Sequence, residues 1–101
     1  MKINLFKIKE SKLAQWKEWC GLLHTEYRTE AIETLKEENV LYEAFGIFEL
    51  KGEWFTLGFG EDNGEPLSAN PNRKLNQQHI LNKKECLEYI GPIELLYELS
   101  R

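Results

Sequence analysis

The amino-acid order predicts an α+β domain with the element order β-α-β-β-α-β. Three observations carry this. Four segments have strand character, alternating or doubly apolar. Two segments repeat apolar residues at helical spacing. A two-residue turn joins the middle strands. The chain has 101 residues, a length for one domain spanning 1–101.

The first strand is Lys2–Lys9, of period two, with Ile3 and Leu5 on one side and Phe6 and Ile8 on the other. Ser11 then offers a hydroxyl that caps a helix. Leu13, Trp16, Cys20, Leu23 and Tyr27 follow at spacings of three and four, one apolar stripe. Gly21 and the Thr25 region bend or divide this helix. Its continuation carries Ala31, Ile32 and Leu35, and it stops near Asn39, which tolerates the left-handed conformation.

The second strand, Val40–Leu50, is apolar on both faces with Glu43 in its middle. A strand with one solvated face alternates, so this one asks for cover on both. Lys51-Gly52 forms a tight turn, where glycine adopts a positive φ at little cost. The third strand is Glu53–Gly60. A two-residue turn sets Phe48 opposite Phe55, Ala44 opposite Phe59, Ile47 opposite Thr56, Phe45 opposite Gly58 and Glu43 opposite Gly60. Glu61–Pro71 is a loop. Asn70 and Pro71 then read as the cap and first residue of a second helix reaching toward Ile90 and stopping at Gly91-Pro92. Ile93–Leu99 is expected as the last strand.

Two helices on one side of a four-stranded antiparallel sheet give the ferredoxin-like arrangement. The other sheet face is then open. It is expected to carry Phe45, Ile47 and Trp54, with either Ile3 and Leu5 or Phe6 and Ile8. Such an apolar face needs a partner, and a second copy related by a two-fold axis supplies one. A homodimer packed sheet against sheet is expected.

Composition narrows the function classes. The net charge of -4 argues against nucleic acid as partner, since binding it needs clustered Lys and Arg. No apolar run reaches the roughly 20 residues of a membrane span, and the alternating N-terminus is not a signal peptide. Two cysteines make no disulfide framework, so both are expected as thiols in a cytoplasmic protein. The chain has no phosphate-binding glycine loop and no dinucleotide fingerprint, and no cofactor is expected.

Glu43 leads the candidate catalytic residues. A carboxylate among Phe45 and Ile47 must be paired or proton-bearing. Desolvation raises its pKa toward the range of a general acid or base, while an edge-strand glutamate that reaches solvent, or that pairs across the sheet with Lys7 or Lys9, is structural instead. His24 and His79 are candidate proton shuttles. Cys20 with His24, and His79 with Cys86, lie four and seven residues apart, but this departs from zinc spacing, and packed side chains are the reading. Trp16, Trp19, Tyr42, Phe45 and Trp54 are candidate ligand-lining residues, and Arg28 a candidate anion contact. Arg73 is a candidate anion contact on the same ground, and pairing with surface glutamates is the expected reading for both arginines.

Thr34–Val40 followed by Tyr42-Glu43, Trp16 to Trp19 on the first helix, and Asn76, His79 and Glu85-Cys86-Leu87 on the second resemble a bacterial domain-of-unknown-function family of about this length. The layout is similar to the dimeric α/β-barrel superfamily, which includes cofactor-independent monooxygenases, small stress-responsive barrels and rhamnose mutarotases. The resemblance implies a dimer with a ligand pocket between sheet and helices or within the barrel. Likeness to the mutarotases implies a catalytic histidine on the first helix, where His24 lies, although their C-terminal sugar-binding pattern is absent. Two readings follow: a small-molecule-binding dimer with cofactor-free acid–base chemistry, or an interaction protein whose apolar face serves only association.

Overall fold

The computed structural model describes residues 1–101. The elements are β1 (Lys2–Ile8), α1 (Leu13–His24), α2 (Arg28–Glu37), β2 (Val40–Leu50), β3 (Glu53–Asp62), α3 (Lys74–Cys86) and β4 (Leu87–Pro92). The strands form one antiparallel sheet in the order β2-β3-β1-β4, the ferredoxin-like order. The first helix is divided, as the Thr25 region suggests. Thr25 Oγ1 donates to the Gly21 carbonyl at 2.7 Å, and Tyr27 N closes the turn on Leu22 O at 2.8 Å. No helix is long and apolar enough to cross a membrane.

The central hairpin forms as its sequence dictates. Lys51 and Gly52 have φ of 52° and 79°, the pair of positive values that a two-residue primed turn requires. The register pairs Phe48 with Phe55, Ile47 with Thr56, Phe45 with Gly58, Ala44 with Phe59 and Glu43 with Gly60. An irregularity between Val40 and Tyr42 then shifts the strand by one, so Val40 and Glu43 share a face despite their odd separation. Asn39 adopts φ 55° and ends α2.

The two sheet faces are the reverse of the expected ones. Phe45 and Trp54 pack with Phe6 on the core of Ile8, Trp16, Trp19, Leu75, Cys86 and Leu87, under the helices. The open face carries Ile3, Leu5, Ala44, Phe48, Phe55, Leu57 and Phe59, with Phe48 and Phe55 stacked at 5.2 Å. The hairpin turn sets register but not which face is covered. What decides it is relief. The face bearing Thr56, Gly58 and Gly60 is recessed and receives bulky indoles. The Trp16 ring meets Phe45 edge-on at 5.5 Å, and its Nε1 reaches Thr56 Oγ1 at 3.4 Å. On the open face the central strands carry Ile3, Leu5, Phe55, Leu57 and Phe59, and the small residues Ala44 and Gly46 lie only on the edge strand.

Other boundaries also differ from expectation. Ser11 sits at φ 66° in a turn, so Lys12 takes the cap position without a side-chain cap bond. Asn70 closes a local turn, its Oδ1 accepting Asn72 N at 3.0 Å, and α3 begins only at Lys74. The helix ends at Cys86, and β4 follows with no connecting residue. Leu87 lies opposite Ile8, so burying it against the core overrides the helix propensity of its neighbours. The last strand is therefore Leu87–Pro92 rather than Ile93–Leu99. Arg73 joins the helices as expected, with Glu30 at 3.1 Å and Glu37 at 2.7 Å.

Candidate functional site

The cavity arises where glycine removes side chains from the covered sheet face. A Cβ on Gly58 would meet the Phe45 ring at 2.8 Å, whereas one on Gly60 would meet only the Tyr42 carbonyl oxygen at 3.8 Å. Phe45 thus lies across Gly58, and the floor beyond it stays bare. Above this floor runs α3, and between them is a cavity of about 200 Å³. Lys2, Asn4 and Phe6 of β1, Val40, Glu43 and Phe45 of β2, and Gly58, Phe59, Gly60 and Asp62 of β3 line it, with His79 and Lys83 of α3.

His79 and Lys83 are four residues apart, which sets them on one helix face. The Trp19 indole Nε1–H donates to His79 Nδ1 at 2.9 Å. With Nδ1 accepting, the proton of the neutral ring resides on Nε2. Burial first, and the neighbouring Lys83 cation second, lower the His79 pKa to about 4, so the ring is neutral at pH 7. Trp19 does not lie on the α1 core stripe, yet it is buried; its place is behind His79 and against Tyr27.

The Glu43 pKa is raised above the usual carboxylate value, desolvation being the cause and the Lys83 cation opposing it. By surface area the residue is nevertheless exposed on the edge strand, so the desolvation comes from the cavity side and is partial. Its expected structural partners are engaged elsewhere: Lys7 pairs with Glu53 at 3.0 Å, and Lys9 donates to the Lys84 carbonyl at 2.9 Å. Lys83 lies 5.5 Å from the Phe6 ring centroid, a cation–π distance. Asn4 Oδ1 accepts the Tyr89 hydroxyl at 2.9 Å, a bond that occupies its acceptor and orients its amide. Lys2 and Asp62 pair at 2.8 Å at the β1–β3 end.

A second cleft of about 290 Å³ lies between α1 and the sheet, lined by Trp16, Lys17, Cys20, Phe45, Gly46, Ile47 and Thr56. Phe45 is the wall shared by both. The reactive group here is Cys20, whose thiol is pushed up to about 11, mainly by burial. It is protonated at neutral pH and a poor nucleophile.

Of the residues singled out from sequence, Glu43, Phe45 and His79 meet at the first cavity, with Trp19 behind His79. Trp16 borders the second cleft and Trp54 packs on the core. Tyr42 is exposed beside the open face. His24 lies at the exposed end of α1, its Nδ1 3.1 Å from Arg28 Nη1, and neither lines the cavity. The cysteines and histidines do not converge, and no group of three or more His, Cys, Asp or Glu residues is placed to hold a metal. Sequence reasoning missed Lys83, Asn4 and the glycine floor. The spacing of His79 and Lys83 was a usable signal. The placement of Asn4 depends on the sheet order and was not.

Comparison with curated proteins and with solved structures finds no match. A family model matches residues 1–101. The chain belongs, over its whole length, to a family of unknown function, DUF6176.

Proposed function

We propose that this protein binds a small carbonyl-containing molecule in the cavity between the sheet and α3 and moves a proton on it. The observation that carries this reading is the convergence of a pKa-raised carboxyl, a neutral imidazole and an ammonium on one cavity. Raised carboxyls at concave sites are a mark of function. The cavity is smaller than the roughly 300 Å³ at which drug-sized sites begin, so its occupant is small. In the proposed step, the Glu43 carboxylate takes a proton from the carbon beside the carbonyl. His79 Nε2–H and Lys83 Nζ donate to the oxygen on which negative charge develops. Glu43 then returns the proton at another atom. The result is a cofactor-free isomerisation that conserves atoms and electrons.

The open face supports a second part of the reading, a homodimer packed sheet against sheet. The chain exposes 7583 Å², about 1,600 Å² more than the ~5,900 Å² expected of a folded monomer of 11.9 kDa. Its radius of gyration is 14.2 Å, against about 12.7 Å expected for its length. A stable interface hides about 800 Å² per partner, so the excess is large enough for one. A reducing cytoplasm suits the two free thiols.

The test is solvent-deuterium exchange at the carbon beside the carbonyl, across a panel of β-keto acids and α-hydroxy ketones. At least one compound is expected to shift the His79 and Lys83 NMR signals and to exchange catalytically. Glu43→Gln is expected to lower that exchange by about a hundredfold or more. Absence of any shift at these residues across the panel would contradict the ligand site. Shifts without Glu43-dependent exchange would reduce it to a binding site.

A further inference from the structure

We infer that the C-terminal segment Ile93–Arg101 is an exchanged strand, which pairs with the outer edge of β2 in a second copy of the chain. This rests on the dimer proposed above and goes beyond it in naming what completes the interface.

The segment has the pattern of a strand and lacks the bonds of one. Ile93, Leu95, Tyr97 and Leu99 alternate with Glu94, Leu96 and Glu98. Ile93 N donates to Ile3 O at 2.8 Å, and no main-chain hydrogen bond involves any later residue. Leu96 is 86% and Leu99 90% exposed. The Met1 ammonium and the Glu98 carboxylate, both exposed and 3.7 Å apart, make the segment's one ion pair with its own chain. An exposed ion pair of this kind holds a segment weakly. A run this apolar leaves solvent when a partner surface is present.

The complementary defect is at β2. It pairs only with β3, so along Val40–Leu50 its outward N–H and C=O groups have no strand beside them. Long edges of this kind are blunted by Lys, Pro or short length. β2 has no Lys and no Pro, and Leu41 and Leu50 are exposed on it. A strand without an edge and an edge without a strand thus occur in one chain, on opposite sides of its sheet. The segment leaves beyond β4, whereas β2 is the far edge. Stacked sheets lie about 10 Å apart, and a segment of this length extends about 30 Å. It therefore reaches the edge of a facing partner. Two-fold symmetry makes the exchange mutual.

The test uses the full chain. Mixed dimers of isotope-labelled and unlabelled protein are examined by isotope-filtered NMR, with light scattering giving the mass. Intermolecular contacts from the Leu95 and Leu99 methyls to Leu41 and Leu50 are expected, along with slowed amide exchange at residues 94–99. Leu99→Lys, at a side chain almost free of its own fold, is expected to weaken the dimer at least tenfold. A dimer with no intermolecular contacts from this segment, or one unaffected by Leu99→Lys, overturns the exchange and leaves the dimer standing. A monomer at high micromolar concentration overturns both.

Discussion

The two faces of the sheet differ in relief more than in hydrophobicity. The covered face has Thr56, Gly58, Gly60 and Asn4 among its aromatics. The open face has Ile3, Leu5, Phe48, Phe55, Leu57 and Phe59, and its small residues, Ala44 and Gly46, lie on the edge strand β2. A face with gaps accepts tryptophans from the helices and keeps a cavity where they do not reach. A continuous apolar face cannot hold a small polar ligand, and suits another flat surface. In the proposed function, one sheet thereby separates a ligand site from an association site.

Predictions follow from breaking each face in turn. Trp16 is 1% exposed and fills the recess over Thr56. Trp16→Ala is expected to cost about 3–5 kcal/mol, read by chemical denaturation. The pH response comes next. The unfolded chain protonates its histidine below about 6.5, whereas folded His79 does so only near pH 4. Between those values the unfolded state holds more protons, so stability falls as pH drops, by up to about 3 kcal/mol. Glu43, whose folded pKa is raised, works in the opposite direction and lessens the slope. Urea titrations from pH 7 to 4 check this, and His79→Gln is expected to remove most of the loss.

Leu57 lies on the open face opposite Leu5. Leu57→Lys is expected to raise the dimer dissociation constant about a hundredfold, or about 2.7 kcal/mol, in sedimentation, while leaving the cavity intact. On the covered face, Gly58→Ala drives a methyl into the Phe45 ring and is expected to cost about 1–3 kcal/mol. Gly60→Ala has more room, and its loss in a melting experiment is expected to be smaller. Trp19→Phe removes the donor to His79 Nδ1. It is expected to cost about 1 kcal/mol and to move the His79 pKa upward, seen by NMR titration.

The hairpin was legible because its information is local. Lys51-Gly52 fixes a turn, the turn fixes register, and every cross-strand pair from Phe48–Phe55 to Glu43–Gly60 follows. The choice of covered face was not legible, because it depends on tryptophans from α1 finding a recess formed by residues about 40 positions away. The α3–β4 junction was hidden for a similar reason. Cys86-Leu87 carries no turn residue, and the Gly91-Pro92 signal marks the end of β4 instead. At the site, Glu43 stood out as a charge in an apolar strand. The bond between Trp19 and His79 joins residues brought together only by packing α1 on α3.

The central claim is that Glu43, at the solvent-facing rim of the cavity between sheet and α3, acts as a proton-carrying group. A carbon-detected NMR titration of its carboxyl tests this most directly. The structure predicts a pKa above the 4.5 of an unperturbed glutamate, moving further upward in Lys83→Met as the opposing cation is removed. A Glu43 pKa at or below 4.5, unmoved by Lys83→Met, would contradict it.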